Sequence, residues 1–189
     1  MANLSHLSEG EMKEILMLQE RLMLLDTQHK AKDSFMEYIR YIWPSFIEGD
    51  HHRIIADKLT RVAKGELKRL IVNMPPRHTK SEFASIYFPS WVMGLNPDMK
   101  IMQTTHTADL SINFGRKVRN LMDSDEYSNI FPKVSLASDS KSAGKWQTSQ
   151  GGEYFAAGVG GAIAGRGADL LIIDDPHSEQ DAMSINLLD

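Results

Sequence analysis

Lys80 and Ser81 stand where a phosphate-binding loop places its lysine and its hydroxyl, after Met74-Pro75-Pro76-Arg77-His78-Thr79 and ahead of an apolar run. A triphosphate is held by backbone N–H groups at a strand-to-helix turn. A lysine neutralises its β and γ oxygens, and a hydroxyl helps to hold Mg²⁺. That pattern asks for glycine six residues before the lysine and again immediately before it; here those residues are Met74 and Thr79. Thr79 is the weightier departure, because a β-branched residue has fewer backbone conformations open to it than glycine. Taken alone, the segment reads equally as a lysine at a helix start, with Pro-Pro breaking a strand.

Further along, Leu170-Leu171-Ile172-Ile173 runs into Asp174-Asp175. Four apolar residues followed by two acids place a carboxylate at the carboxyl end of a strand, where open α/β sheets bind ligands. One acid can hold Mg²⁺ while its neighbour polarises an attacking water. The plainer reading is an acidic turn before Pro176. Two like charges side by side nevertheless call for a cation or solvent, and at the rim of a buried strand a metal is the more economical account. Arg77 and Arg166 are candidates for stabilising charge on a transferring phosphoryl group, and would serve equally well as surface salt-bridge arginines. His51, His52, His78, His106 and His177 show no metal-ligand spacing. His51 and His52, being adjacent, cannot share a helix face. Solvated or capping roles suit most of them, and His78 is expected to bond the loop backbone.

The elements that must carry these groups follow from periodicity. Ser8 and Glu11 form a capping box ahead of a helix to about Leu25. Its stripe of Met12, Ile15, Leu16, Leu18, Leu22 and Leu25 is expected to pack on the domain, a partner-binding helix being the alternative. A second helix over Lys32–Ile42 stops before Trp43-Pro44, and a third, His51–Lys64, ends at Gly65. Arg69–Met74 reads as a short buried strand, and Ser81–Phe88 as a helix interrupted at Pro89. Lys100–Thr105 is a strand, Ala108–Met122 a helix, Ser135–Gly152 an exposed loop and Glu153–Val159 a strand. Leu170–Ile173, continuously apolar, predicts a parallel strand covered on both faces. Strands alternating with helices give an α/β domain with a mostly parallel sheet flanked by helices.

Composition sets the outer bounds. The chain has 189 residues, 42% hydrophobic and 24% charged, ordinary for one soluble domain. No apolar run approaches the roughly 20 residues of a membrane span, and Met1–Gly10 carries no secretory signal. Cysteine is absent, which excludes disulfides and thiolate metal sites and fits a reducing compartment. Residues 58–140 hold 12 Lys/Arg against 8 Asp/Glu, between two acidic segments. So small an excess argues little for DNA binding. Lys141 and Lys145, in the exposed loop, are the candidates to meet DNA, a solvated loop being the plainer reading.

The ordered set His51-His52, Gly65-Glu66-Leu67-Lys68-Arg69-Leu70, Pro75 to Glu82, Gly115-Arg116-Lys117-Val118-Arg119, Phe131-Pro132, Gly151 to Tyr154, Gly165 to Asp169 and Ile172 to Pro176 resembles the ATPase half of tailed-phage terminase large subunits. The likeness covers roughly residues 43–182. It implies a P-loop NTPase-like fold over residues 45–189, with residues 1–44 a helical extension. It implies ATP and Mg²⁺ as cofactors and hydrolysis that drives double-stranded DNA into a procapsid. The implied partners are DNA, a portal protein, a small terminase subunit and other copies in a ring, in the host cytoplasm. Pro76, Arg77, His78, Thr79, Lys80 and Ser81 would line the nucleotide. Ser81 and Asp174 would hold Mg²⁺, Asp175 would occupy the catalytic position usually filled by glutamate, and Arg166 would act in trans. Arg77 sits one residue closer to the lysine than its family counterpart. Full-length members add a coupling motif and a nuclease domain beyond this point, so no nuclease activity is expected of these residues. Two other readings stand beside this one: a metal nuclease using Asp174, Asp175 and Glu153 with Lys80 incidental, and a non-catalytic assembly module.

Overall fold

The computed structural model describes residues 8–140, 142–161, 163 and 165–178. Helices α1 (Glu9–Asp33), α2 (Phe35–Ile42) and α3 (Asp50–Ala63) come first, followed by a π-helical turn (Glu82–Tyr87) that runs directly into α4 (Phe88–Leu95). Strand β1 (Lys100–Thr105), helices α5 (Ala108–Met122) and α6 (Asp125–Ile130), and strands β2 (Lys145–Gln147), β3 (Glu153–Gly158) and β4 (Leu170–Ile173) complete the order. The strands form one sheet in the order β2-β3-β1-β4. β1 is parallel to both β3 and β4, and only β2 runs antiparallel. The fold is therefore α/β with a mixed, mostly parallel sheet flanked by helices.

Alternation along the strands divides the sheet into two unlike faces. Ile101, Tyr154 and Ile172 point into the main core, where Phe35, Tyr38, Phe83 and Trp91 are all but fully buried. α5 comes close on this side because Gly115 permits it. A Cβ there would lie 2.6 Å from the Ala143 carbonyl oxygen and 2.9 Å from the Tyr154 ring. Trp146, buried under α5, donates to the Gly115 carbonyl at 3.1 Å and stacks on Tyr154. Ser135–Gly152 is thus more than an exposed loop. Its single tryptophan is an apolar anchor, and it draws β2 onto the sheet.

Other expectations need correction too. Arg69–Met74 is extended but joins no ladder among the described strands. Leu70, Val72 and Met74 lean on the core while Ile71 is 86% exposed. It keeps the alternation of a strand with no backbone partner among the described residues. Among the described strands β4 lies at the edge of the sheet, and it is not covered on both faces: Ile172 is buried, whereas Leu171 and Ile173 are more than half exposed. Pro89 does not interrupt the helix. The preceding turn widens so that the Phe88 N–H bonds the Phe83 carbonyl, and Pro89 falls at the start of α4, where its missing N–H is harmless.

The capping box of α1 is present, the Ser8 N–H donating to the Glu11 carboxylate at 2.8 Å and the Glu11 N–H to Ser8 Oγ at 3.4 Å. The stripe behind it does not pack on the domain. Of the helix, Ala31 near the C-terminal end is the buried residue. No described helix is long and apolar enough to cross a membrane.

Candidate nucleotide site

Lys80 opens the helix that becomes the π-helical turn, and Asp174 and Asp175 follow β4 directly, so the two segments meet at the carboxyl end of the parallel strands. The Lys80 ammonium lies 3.2 Å from Asp174 Oδ1 and also pairs closely with Asp175 Oδ1. Burial alone would lower the lysine's pKa. The hydrogen bonds and charges of Asp175 and Asp174 outweigh it and hold the ammonium above the ordinary lysine value. Two carboxylates thus converge on one cation, here the lysine's own ammonium.

The backbone is strained at the same place. Among the described non-glycine residues, positive φ occurs at Arg77 (65°), Thr79 (63°) and Asp175 (44°). Asp adopts this region with modest strain, but a β-branched residue there is a true outlier. Such strain persists only where surrounding contacts over-determine it, and at Thr79 those contacts are visible. The Thr79 hydroxyl donates to the His78 carbonyl at 2.6 Å. It also lies 2.8 Å from Nε2 of His52. Nδ1 of the same ring accepts the Gly49 N–H at 2.9 Å, so Nε2 carries the proton and donates to Thr79. A neutral histidine therefore bolts the loop to the first turn of α3. In the loop itself the His78 ring bonds the Pro76 carbonyl at 2.9 Å, as anticipated.

His52 is buried against Phe46 and Phe83. Desolvation lowers its pKa from 6.5, the nearby His51 and His78 rings push the same way, and Glu48 opposes them. A histidine whose folded pKa lies below its unfolded one contributes stability above the unfolded value, and that stability is lost as pH falls toward the folded one. The melting temperature is accordingly expected to drop as pH falls below about 6.5. In a His52→Gln variant part of that slope should disappear, which a pH series of melting curves will show.

Asp174 is buried and accepts a 2.8 Å hydrogen bond from Ser85, itself fully buried on the π-helical turn. Its backbone N–H donates to the Thr104 carbonyl at 3.0 Å, and the Asp175 carbonyl accepts from the His106 N–H at 3.2 Å. Both acids are thereby fastened to the end of β1. Sequence reasoning missed Ser85 and the bond from His52 to Thr79, although signals existed; the capping role expected of most histidines is present at His52, which accepts the Gly49 N–H. Ser85 lies four residues after Ser81, on the same helix face. His52 shares helical spacing with the buried Ile55, Ala56 and Leu59.

Arg77 is exposed in the loop. Arg166 is not brought to the cluster. Its guanidinium stacks 4.0 Å above the Phe155 ring and pairs with Glu153 at 3.3 Å. Glu153 is level with Lys100 at the amino ends of the parallel strands. That is five residues, roughly 16 Å at the usual strand rise, from the end that carries Asp174. The same separation keeps Glu153 away from both aspartates, so the three acids of a metal nuclease are not assembled. Among the described residues no three His, Asp or Glu side chains converge on a metal position. Lys145 pairs with Glu153 at 4.0 Å on β2, while Lys141 and residues beyond 178 lie outside the described residues.

The oxygen set at the cluster suits a hard cation. Asp174 and Asp175 supply two carboxylates at one cation position and Ser81 stands at the head of the helix. That leaves the remaining ligands to phosphate and water, the usual way Mg²⁺ is held. No family model, curated protein or solved structure matches this chain.

Proposed function

We propose that the chain is an ATP-hydrolysing domain of P-loop type, working as the motor of a terminase-like large subunit that drives double-stranded DNA into a procapsid. One observation supports this reading above the others: the Lys80 ammonium sits between Asp174 and Asp175, where a strained loop meets the carboxyl end of a parallel sheet. The ammonium neutralises both acids. When triphosphate enters, Lys80 turns to its β and γ oxygens, and Ser81 and Asp174 become the residues that would hold Mg²⁺. The metal would supply charge neutralisation on the phosphates. Asp175, more exposed than Asp174, orients and deprotonates the attacking water. Pro76, Arg77, His78 and Thr79 shape the loop around the phosphates, and the groove beside it, lined by Ile54, Leu70 and Met74 among others, offers apolar surface to the base.

Arg166, held at the far end of the sheet, suits a role toward a neighbouring copy better than one in its own site. The ring, the portal and small-subunit partners, and the host cytoplasm as its setting belong to the same reading. Binding must stabilise the folded state, so millimolar Mg·ATP is expected to raise the melting temperature by several degrees, about 2.7 kcal/mol at a hundred times the dissociation constant. An unchanged melting temperature at millimolar Mg·ATP would favour the inert assembly module. DNA cleavage with metal but without ATP use would favour the nuclease.

A further inference from the structure

The largest feature outside the nucleotide site is α1. At 1.5 Å per residue its 25 residues span about 37 Å, and most of that length stands clear of the domain. Leu18, Leu22 and Leu25 are each more than half exposed, as are Leu16, Met17 and Met23. Apolar residues gathered in such numbers on one exposed element mark an interaction surface.

The pattern says what covers it. Ile15, Leu18, Leu22 and Leu25 recur at alternating spacings of three and four, the seam of a coiled coil. Along one border of that seam stand Glu14, Arg21 and Gln28, and along the other Met12, Gln19 and Asp26. When two copies of this helix lie parallel and in register, each residue of the first border faces the residue five positions on in the other copy. Arg21 then meets Asp26 twice by symmetry and Glu14 meets Gln19, so along these two borders no like charges face one another, the apolar part of the seam running from Ile15 to Leu25. Among the described residues the exposed Arg21 has no partner of its own, while Asp26 is shared only with the exposed Lys30 of the same helix. We propose that α1 is a self-association helix, pairing in parallel with α1 of a second copy of this chain. The Leu16-Met17 and Met23-Leu24 pairs, on the flank away from this seam, would let further copies join.

Sedimentation equilibrium on the whole 189-residue chain tests this independently of any nucleotide. At tens of micromolar the mass is expected to be at least twice the 21.3 kDa of one chain. Leu22→Glu should return it to 21.3 kDa with an unchanged far-ultraviolet spectrum, since Leu22 is 66% exposed. Arg21→Glu replaces two attractions with two repulsions and should weaken association by about five- to thirtyfold. Adding Asp26→Arg should restore it. A single-chain mass at every concentration would overturn the proposal and point to a different protein on α1. Association indifferent to Leu22→Glu, or no recovery in the Arg21→Glu/Asp26→Arg chain, would overturn it as well.

Discussion

Lys80→Ala is expected to cut ATP turnover by at least about a hundredfold, the scale seen when one preorganised donor to a developing charge is removed. The size follows from the lysine's position. Its ammonium is the cation shared by Asp174 and Asp175, and it heads the helix that points at the loop. The same change should lower the melting temperature. Asp174 is buried, and without the ammonium it keeps Ser85 as its side-chain donor while facing a second carboxylate. The lysine's folded pKa is raised, so its contribution is complete at neutral pH and fades only as pH climbs through that raised value. Lys80→Arg separates the two effects. A guanidinium preserves the charge between the acids, so stability should largely return, but its planar fork does not reproduce the point charge of an ammonium and turnover should stay low. Hydrolysis assays beside melting curves for the three proteins check this. Equal ATPase rates for wild type and Lys80→Ala would contradict it.

Asp175→Asn is expected to leave nucleotide binding intact and reduce turnover by about a hundredfold or more, within the range that positioned general bases contribute. Asparagine is chosen because Asp175 has a φ of 44°, a region that asparagine enters more readily than almost any other side chain. The carbonyl that accepts from His106 should therefore stay in place. What is lost is the charge and the ability to take a proton from water. Mg·ATP should still raise the melting temperature of this variant. Loss of that shift together with turnover would make Asp175 a binding residue instead.

Much of this was legible in the chain. Lys100–Thr105 and Ala108–Met122 could be bounded from sequence because a short segment after Asn96-Pro97 and a 3.6-residue period each begin and end at clear breaks. Pairing Lys80 with Asp174 and Asp175 was also within reach, since a lysine after a loop and acids after a strand share one end of a parallel sheet. What failed depended on partners distant in sequence. Leu70-Ile71-Val72 has the residues of a strand, but a strand needs a neighbour's backbone, and no composition reports that. α1 has the stripe of a packed helix, yet the stripe alone cannot say whether its cover comes from this chain. His52 and Ser85 look ordinary in one dimension. Each matters through one hydrogen bond, across 27 residues to Thr79 and across 89 to Asp174. Thr79 itself, an apparent defect where glycine is usual, becomes intelligible once His52 is seen holding its hydroxyl.

The central claim is that the 75–81 loop holds a triphosphate although it lacks both glycines. A crystal structure with a non-hydrolysable ATP analogue and Mg²⁺ tests it most directly. The expected result is phosphate oxygens against the backbone N–H groups of the loop, with the Lys80 ammonium withdrawn from Asp175 and turned to the phosphates. A nucleotide bound elsewhere, or a loop unchanged with Lys80 still between Asp174 and Asp175 at saturating analogue, would contradict it.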